Sequence, residues 1–170
     1  MPAHKLYFAA SVLLSPLIPL WLELRRLRGK EDAKRSPERF GVASYKRPVG
    51  LLIWIHAASV GEANSVLYFI AQLRKQFPDV NVLVTTGTVT SATLMATRLP
   101  RGVIHQYVPV DTPQATHRFM RHWRPDFAFL VESELWPNLI DSADRWYCTM
   151  GIINGRISEK SLRMWNKYPS

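Results

Sequence analysis

Three glutamates follow two apolar stretches of the chain, at the points where buried strands would end. Glu62 comes after the apolar run 51–55 and a short turn, and Glu132 and Glu134 follow a second run, 126–131. Because ligands of open parallel sheets bind beyond the carboxyl ends of the strands, we expect these carboxylates to face a ligand crevice. A carboxylate in such a place can act as a general base. The spacing therefore permits acid–base chemistry carried by glutamates.

Each glutamate also has a structural interpretation. Glu62 falls in the first turn of a predicted helix, where its charge stabilises the helix dipole by under about 1 kcal/mol, and the spacing alone fits this interpretation and a general base equally. Glu134 stands three residues before Pro137, which suits a first helical position, so we favour a structural role for Glu134. Glu132 directly ends its apolar run and is the better crevice candidate.

A hydroxyl-rich turn, Thr85 to Thr88, follows the second predicted strand. Its backbone N–H groups can hold a phosphate at the start of the next helix, and a cap for that helix is an equally good interpretation. The Walker and dinucleotide fingerprints are missing from the sequence. Ser59 lacks the leading glycine of a nucleophile elbow. These patterns leave the turn open to either interpretation.

The histidines and the single cysteine do not predict a metal site. His56 lies inside the first strand, where we predict a packed core residue. His105, His117 and His122 lack the spacing of metal ligands, and Cys148 alone forms neither an intramolecular disulfide nor a cysteine zinc cluster. We therefore expect neither a metal nor a cofactor.

The chain from residue 51 onward alternates between predicted strands and helices. Strands are predicted at 51–57, 80–86, 103–108, 126–131 and 147–153, and helices at 62–76, 90–99, 113–123 and from Pro137. This order indicates an α/β fold with a Rossmann-like, doubly wound parallel sheet. If the strand order is 3-2-1-4-5, the first and fourth strands are neighbours, and Glu62 and Glu132 face one crevice.

An uncharged apolar stretch, residues 6–22, precedes a basic segment. It has the length of a short membrane span, and the charges that follow it favour a cytoplasmic location for the rest of the chain. A cleaved signal peptide and an apolar helix lying in the membrane interface are the alternatives. We predict an uncleaved membrane anchor helix with its basic segment at 1–35, and a Rossmann-like domain at 36–170 that begins with a connector, 36–50.

The formal net charge of +9 indicates an anionic partner. Membrane phospholipid, a phosphorylated substrate and nucleic acid all carry the required charge. The sequence contains no nucleic-acid-binding motif, and the basic segment lies next to the apolar stretch. We therefore favour a membrane surface and expect no nucleic acid.

Five separate segments, in this order, resemble one family. IHAASVGE (55–62), VTTGTVTS (84–91), YVPVDTP (107–113), VESELWPNLI (131–140) and INGRISEKS (153–161) resemble the 3-deoxy-D-manno-octulosonic acid (Kdo) transferases. The resemblance runs from about Arg39 to the carboxyl end and also covers the apolar stretch.

The resemblance implies a GT-B fold of two Rossmann-like domains with the active site between them. It implies an amino-terminal domain that receives a lipid A precursor (lipid IVA) and a carboxyl-terminal domain that binds CMP-Kdo. Transfer inverts the anomeric centre without a metal, at the cytoplasmic face of the inner membrane, in lipopolysaccharide core assembly. The chain is similar to the amino-terminal half, so we expect an acceptor-binding half that lacks the donor domain and is inactive alone.

The resemblance also implies roles for two of the glutamates. The glutamate of the S-V-G-E motif is the family's proton acceptor and is Glu62 here, and the first glutamate of E-x-E-L-W-P, assigned to transition-state stabilisation, is Glu132. We expect further substrate contacts from Ser59, Gly61, Thr86, Gly87 and Glu134. The alternative function is a non-catalytic, membrane-bound module that binds lipid A precursor or a partner protein without turnover.

Overall fold

The computed structural model describes residues 3–132 and 134–155, with side chains from His4 onward. The helices are α1 (Ala3–Leu14), α2 (Ile18–Leu27), α3 (Val60–Gln76), α4 (Val89–Arg98), α5 (Pro113–Trp123) and α6 (Pro137–Arg145), and the strands are β1 (Leu52–His56), β2 (Asn81–Thr86), β3 (Ile104–Tyr107), β4 (Phe127–Val131) and β5 (Thr149–Ile153). Each predicted strand and helix is present, with its boundaries shifted by two residues or fewer. The predicted motif 153–161 lies outside the described residues from position 156 onward.

The five strands form one parallel sheet in the order β3-β2-β1-β4-β5. This is the order that the sequence analysis assumed, and the prediction of an α/β, doubly wound sheet is confirmed. Side chains of the central strand alternate between two cores: Leu52 and Trp54 pack with residues of α5 and α6, and Ile53 and Ile55 pack with residues of α3 and α4. Since both faces of β1 are covered, all five of its residues are buried, as is typical of a central parallel strand.

The register of β1 against β4 determines where the candidate site lies. Ile53 pairs with Phe127, and three residues later His56 pairs with Leu130. The carboxyl ends of the two strands are therefore level with each other. The turn that leads to Glu62 and the segment that begins with Glu132 consequently leave the sheet side by side.

A 3-10 turn, Ser15–Leu17, connects α1 to α2. A proline lies in the first turn of this 3-10 helix and another in the first turn of α2. Together these elements form one helical segment, His4–Leu27, which is long and apolar enough to cross a membrane by length and composition. The predicted connector contains a second 3-10 helix, Ser36–Phe40, which ends at Gly41. Gly41 has a φ of 76°, and a Cβ there would collide with the carbonyl oxygen of Ala115 in α5. The connector is therefore packed tightly on the domain.

Candidate active site

The carboxylate of Glu62 is held by the turn that precedes it. Ser59 caps α3, and its hydroxyl oxygen accepts the Glu62 N–H at 3.3 Å and donates to Glu62 Oε1 at 2.7 Å. The N–H of Ala58 donates to Glu62 Oε2 at 2.9 Å. The helix begins at Val60, two residues earlier than predicted, so Glu62 is its third residue. The carboxylate is thus fixed by two hydrogen bonds and keeps lone pairs for another donor.

Glu132 occupies an unusual backbone conformation directly after β4. Its φ is 59°, in the left-handed region, where a residue with a side chain costs roughly 1–2 kcal/mol. Its N–H donates to the carbonyl oxygen of Ile153 at 2.9 Å and so extends the pairing of β4 with β5 by one bond. Strain of this kind is concentrated at functional sites. The half-buried side chain is therefore presented by a conformation that most residues avoid.

Glu134 lies close to both other glutamates. Burial raises the pKa of Glu134, the negative charges of Glu62 and Glu132 raise it further, and a hydrogen bond from Trp136 partly opposes these effects. That bond runs from the indole Nε1 to Glu134 Oε2 at 2.7 Å. The same carboxylate oxygen lies 4.0 Å from Nε2 of His56. The strand order thus gathers three carboxylates and one imidazole in one region.

His56 is fully buried, as predicted, but one of its nitrogens has no hydrogen-bond partner among the described residues. Its Nδ1 lies 3.2 Å from the carbonyl oxygen of Thr85. Nδ1 also lies 3.0 Å from the Thr85 hydroxyl, which can donate or accept, so these contacts are compatible with either neutral tautomer. Nε2 lies on the side of Glu134. Burial is the main cause that lowers the pKa of His56 to about 4. The imidazole is therefore neutral at physiological pH.

The start of α6 is capped by Asp111 and not by Glu134. The Asp111 carboxylate accepts the N–H groups of Asn138 at 3.2 Å and Leu139 at 2.9 Å. The N-cap residue, Trp136, makes no capping bond through its side chain. Asp111 lies inside the YVPVDTP segment, but the sequence analysis did not single it out. The structural role proposed for Glu134 at this helix is therefore filled by another residue.

The hydroxyl-rich turn after β2 adopts the capping interpretation. Thr88 and Ser91 form a reciprocal capping box at the start of α4. The N–H of Gly87 donates to the carbonyl oxygen of Ala58 at 3.0 Å, and a Cβ at Gly87 would meet that oxygen at 3.0 Å. The N–H groups of Gly87 and Thr88 are thus used within the protein, and Gly87 permits the loops after β1 and β2 to approach closely.

A crevice of about 420 Å³ lies between the amino-terminal helices and the strand ends. Its lining consists of Tyr7, Ile18, Trp21, Arg25, Arg39, His56, Ala58, Gly87, Val108, Pro109, Val110, Asp111, Glu134 and Trp136. Of the predicted substrate contacts, Gly87 and Glu134 line this crevice, while Ser59 and Gly61 are exposed at the adjoining start of α3. Thr86 is fully buried, and its hydroxyl lies 3.0 Å from His105 Nε2. Thr86 therefore packs beneath the crevice and does not line it.

The crevice lining includes Arg25 and Arg39, which form buried ion pairs with Glu31 that were not predicted from the sequence. Arg25, Glu31 and Arg39 are called the ion-pair wall below. Arg39 donates to both carboxylate oxygens of Glu31, at 2.9 and 3.0 Å, and to the carbonyl oxygens of Val108 at 3.0 Å and Gly87 at 2.7 Å. Arg25 donates to the same carboxylate at 2.7 Å. Burial alone would raise the pKa of Glu31, but the two guanidinium groups outweigh it and lower that pKa. These contacts join the predicted anchor and the predicted domain across the boundary at 35/36.

A second buried carboxylate, Glu38, is bonded still more completely. Its two oxygens accept the guanidinium of Arg35, both at 2.9 Å, the hydroxyl of Ser44 at 2.6 Å and the N–H of Tyr107 at 2.7 Å. The sequence shows only a basic connector here, because the partners lie up to 69 residues away along the chain.

Among residues 3–132 and 134–155, no group of three or more His, Cys, Asp or Glu side chains is arranged to hold a metal ion.

The fold is an α/β domain with three glutamates clustered beyond the ends of β1 and β4. Glu134 lines the crevice, whereas Glu62 and Glu132 are not part of its lining. Residues 34–170 match the family model of the 3-deoxy-D-manno-octulosonic-acid transferases (kdotransferase). The chain belongs to this family, so the resemblance inferred from the five segments is confirmed.

Curated relatives agree with the family model. The chain is 44% identical over 163 residues to a probable mitochondrial 3-deoxy-D-manno-octulosonic acid transferase of Arabidopsis thaliana, covering 96% of the chain and 36% of the relative. It is 40% identical over 163 residues to the 3-deoxy-D-manno-octulosonic acid transferase of Rickettsia bellii, covering 96% and 39%. The transferase of Haemophilus influenzae is 34% identical over 166 residues, covering 95% and 38%. The chain spans less than half of the length of these relatives.

Proposed function

We propose that this chain supplies the acceptor side of a Kdo transferase that acts in lipopolysaccharide core assembly. One observation carries the proposal: Glu62, Glu132 and Glu134 gather at the ends of two neighbouring strands, in a chain of this family. No Lys or Arg in the described part of the chain pairs with these carboxylates within 4.0 Å. Carboxylates without a cationic partner remain available for acid–base work.

In this proposal Glu62 is the proton acceptor. The acceptor hydroxyl oxygen attacks the anomeric carbon of Kdo, the bond between Kdo and CMP breaks, and Glu62 takes the hydroxyl proton. The reaction inverts the anomeric centre and uses no metal. The hydrogen bonds from Ala58 and Ser59 support this role, because they fix the carboxylate before the substrate arrives.

Glu132 is proposed to stabilise the transition state. Sugar transfer develops positive charge near the anomeric carbon, and a carboxylate directly after β4, close to Glu134 of the crevice, would lower the energy of that charge. Ser59, Gly61, Gly87 and Glu134 are proposed as substrate contacts at the rim. Because the side chain of Thr86 is buried, we propose that Thr86 affects substrate binding indirectly, by fixing the shape of the loop after β2.

The remaining parts of the proposal concern partners and location. We propose that the acceptor is a lipid A precursor, that the donor CMP-Kdo is bound mainly by a second domain of a GT-B fold, and that the 170 residues alone do not transfer Kdo. The length of the relatives supports the second domain. The helix His4–Leu27 and the net charge of +9 support work at the inner membrane, on its cytoplasmic face.

The test is transfer of labelled Kdo from CMP-Kdo to lipid IVA. The chain is assayed alone and mixed with the separately expressed carboxyl-terminal half of the Rickettsia bellii relative, and binding of lipid IVA to the chain is measured in parallel. We expect binding by the chain and transfer only in the mixture. Transfer by the chain alone would contradict the need for a second domain. Acceptor binding without transfer in either sample would favour the non-catalytic module.

A further inference from the structure

The helical segment His4–Leu27 contacts the domain along one stripe that runs for nearly its whole length. Five residues of this segment are less exposed than the rest: Ser11, Ser15, Ile18, Leu22 and Arg25. Their spacing of three or four residues places them on one side of a helix. Leu22, with 6% of its surface exposed, is the most buried of them. The helical segment is therefore packed against the domain along this stripe.

Hydrogen bonds fasten the amino-terminal end of this stripe. The hydroxyl of Tyr7 donates to Asp111 Oδ2 at 2.8 Å. One turn later, Asn138 Nδ2 donates to Ser11 Oγ at 3.0 Å. Asp111 and Asn138 are also bonded to each other at the start of α6. The first half of the segment is thus tied to the rim of the crevice.

An ion pair fastens the other end. Arg25 donates to Glu31, whose carboxylate also receives the buried Arg39. Tyr7 and Arg25 are 18 residues apart, which corresponds to about 27 Å along a helix. This length is close to the roughly 30 Å of a bilayer's hydrocarbon core. A helix that crossed the bilayer would therefore carry its domain contacts through the entire hydrocarbon layer.

Those contacts include charged groups, which are costly to bury in the hydrocarbon of a bilayer. Asp111 and Glu31 lie beside the helix, and pairing with the helix does not remove the cost of burying the surrounding polar surface in lipid. We infer that the segment His4–Leu27 lies in the plane of the membrane, with the domain on one side of it and lipid on the other. The segment is then an interfacial helix and does not span the bilayer.

The face opposite the domain has the composition that this orientation requires. Six leucines on that face have between 46% and 78% of their surface exposed: Leu6, Leu13, Leu17, Leu20, Leu24 and Leu27. Exposed basic residues, Arg26, Arg28 and Lys30, follow at the end of the segment. Apolar side chains beside basic ones fit the acyl and headgroup regions of an anionic phospholipid leaflet. The occupant of this face is therefore the membrane surface.

Cysteine labelling distinguishes the two orientations. His4→Cys and Lys30→Cys are made separately in a Cys148→Ala background, and a membrane-impermeant maleimide is added to inverted inner-membrane vesicles and to spheroplasts. We expect both cysteines to react in inverted vesicles and neither in spheroplasts. Reaction of His4→Cys only in spheroplasts would mean a spanning helix. Failure of His4→Cys to react from either side would also contradict the proposal, which leaves both ends exposed on the domain's side.

Depth measurements provide an independent readout. A fluorophore is attached to cysteines that replace Leu6, Leu13, Leu20 and Leu27, one at a time, in the full chain bound to vesicles that contain phosphatidylglycerol. Nitroxide groups at known depths on the lipids then quench it. We expect the same shallow depth at all four positions, and much weaker quenching at the matched control Ser15→Cys, which faces the domain.

Two results would overturn the proposal. A depth that is greatest near Leu13 and smaller at both ends indicates a helix that crosses the bilayer. An absence of quenching at all four positions indicates that protein, such as a second copy of the chain, covers this face. Neither readout involves Kdo transfer, so the outcome is separate from that of the proposed function.

Discussion

Two groups of carboxylates lie on the same side of the sheet and differ in their partners. Glu31 and Glu38 each receive a guanidinium on both oxygens. Glu62, Glu132 and Glu134 make no ion pair with a Lys or Arg of the described chain. Both groups include deeply buried side chains. Burial therefore does not separate the proposed catalytic carboxylates from those of the ion pairs, whereas a cationic partner among the described residues does.

The pKa directions express the same difference. Against the effect of burial, Arg39 and Arg25 lower the pKa of Glu31. Burial raises the pKa of Glu134, and the charges of Glu62 and Glu132 add to it. The ion-pair group thus favours its charged form, while the glutamate cluster holds charges that repel each other. We expect mutations in the first group to change stability and mutations in the second to change activity.

The largest expected effect is on activity at Glu62. Glu62→Gln keeps the size of the side chain and removes the base, so transfer should fall by about 10²–10⁴-fold while binding of lipid IVA is retained. The assay is Kdo transfer by the chain mixed with a donor half. Asp79→Asn, an exposed carboxylate in the turn before β2, is the matched control and should leave the rate unchanged. Equal rates for Glu62→Gln and Asp79→Asn would remove Glu62 from the chemistry.

The next effect is on stability at Glu31. Glu31→Ala leaves the buried Arg39 without its carboxylate, and loss of one partner of a buried pair costs about 3–5 kcal/mol. Glu23→Ala removes a carboxylate from an exposed pair with Arg26, and its loss should be much smaller because solvent screens the pair. Urea unfolding of both variants in detergent measures the difference. Similar losses for the two variants would mean that the ion-pair wall does not stabilise the fold.

A smaller effect tests the opposite pKa directions. The pKa of Glu31 is lowered in the folded state, so its stabilisation is present above the unfolded value of 4.5 and is lost as the pH falls through the folded value. The pKa of Glu134 is raised, so its ionisation destabilises the fold at neutral pH. Glu31→Gln should therefore destabilise the protein at pH 7, and Glu134→Gln should stabilise it.

The Glu134→Gln difference should shrink as the pH falls through the raised folded pKa of Glu134 toward 4.5. The Glu31→Gln difference should shrink only below 4.5, as the pH falls toward the lowered folded pKa of Glu31. In both cases the wild-type carboxylate becomes neutral like glutamine. Urea unfolding of the two variants between pH 7 and the acid range is the measurement. A change of the same sign for both variants at pH 7 would show that the two groups do not differ in this way.

The sequence predicted the sheet because its signals are local. The apolar runs, the turn residues and the alternation of strands and helices predict five strands along the chain. Right-handed crossover connections between parallel strands then leave few possible strand orders in the sheet. The position of Glu62 in the first turn of α3 followed from the same local pattern. The nearness of Glu132 depended on the strand order, which the structure confirms.

The ion-pair wall was not predictable in this way. Glu31, Arg39 and Glu38 lie in a segment that contains mostly basic and turn residues. Their distant partners are Gly87 and Val108, in the loops after β2 and β3, and Tyr107 at the end of β3. Nothing in local spacing indicates that a basic connector will be buried. Asp111 was missed for a related reason, since it caps a helix that begins 26 residues later. Such contacts are known only once the tertiary structure brings the segments together.

The smallest expected effect concerns the backbone at Glu132. Its φ of 59° is easier for glycine than for a residue with a Cβ, so Glu132→Gly should be more stable than Glu132→Gln by about 1 kcal/mol. Gln72, in the interior of α3 and without a positive φ, is the control, and Gln72→Gly should be less stable than the wild type by about 0.5–1 kcal/mol. Urea midpoints of the three variants and the wild type measure both differences.

Equal stabilities of Glu132→Gly and Glu132→Gln would mean that no strain is stored at this position. The predicted reversal of sign between positions 132 and 72 would show that the fold retains a glutamate where glycine is energetically preferred. Glu31 and Glu38 have no positive φ, so their placement carries no such backbone cost. Among the described residues, Glu132 thus combines a strained backbone with the absence of a Lys or Arg partner, and this combination supports its proposed role in the chemistry.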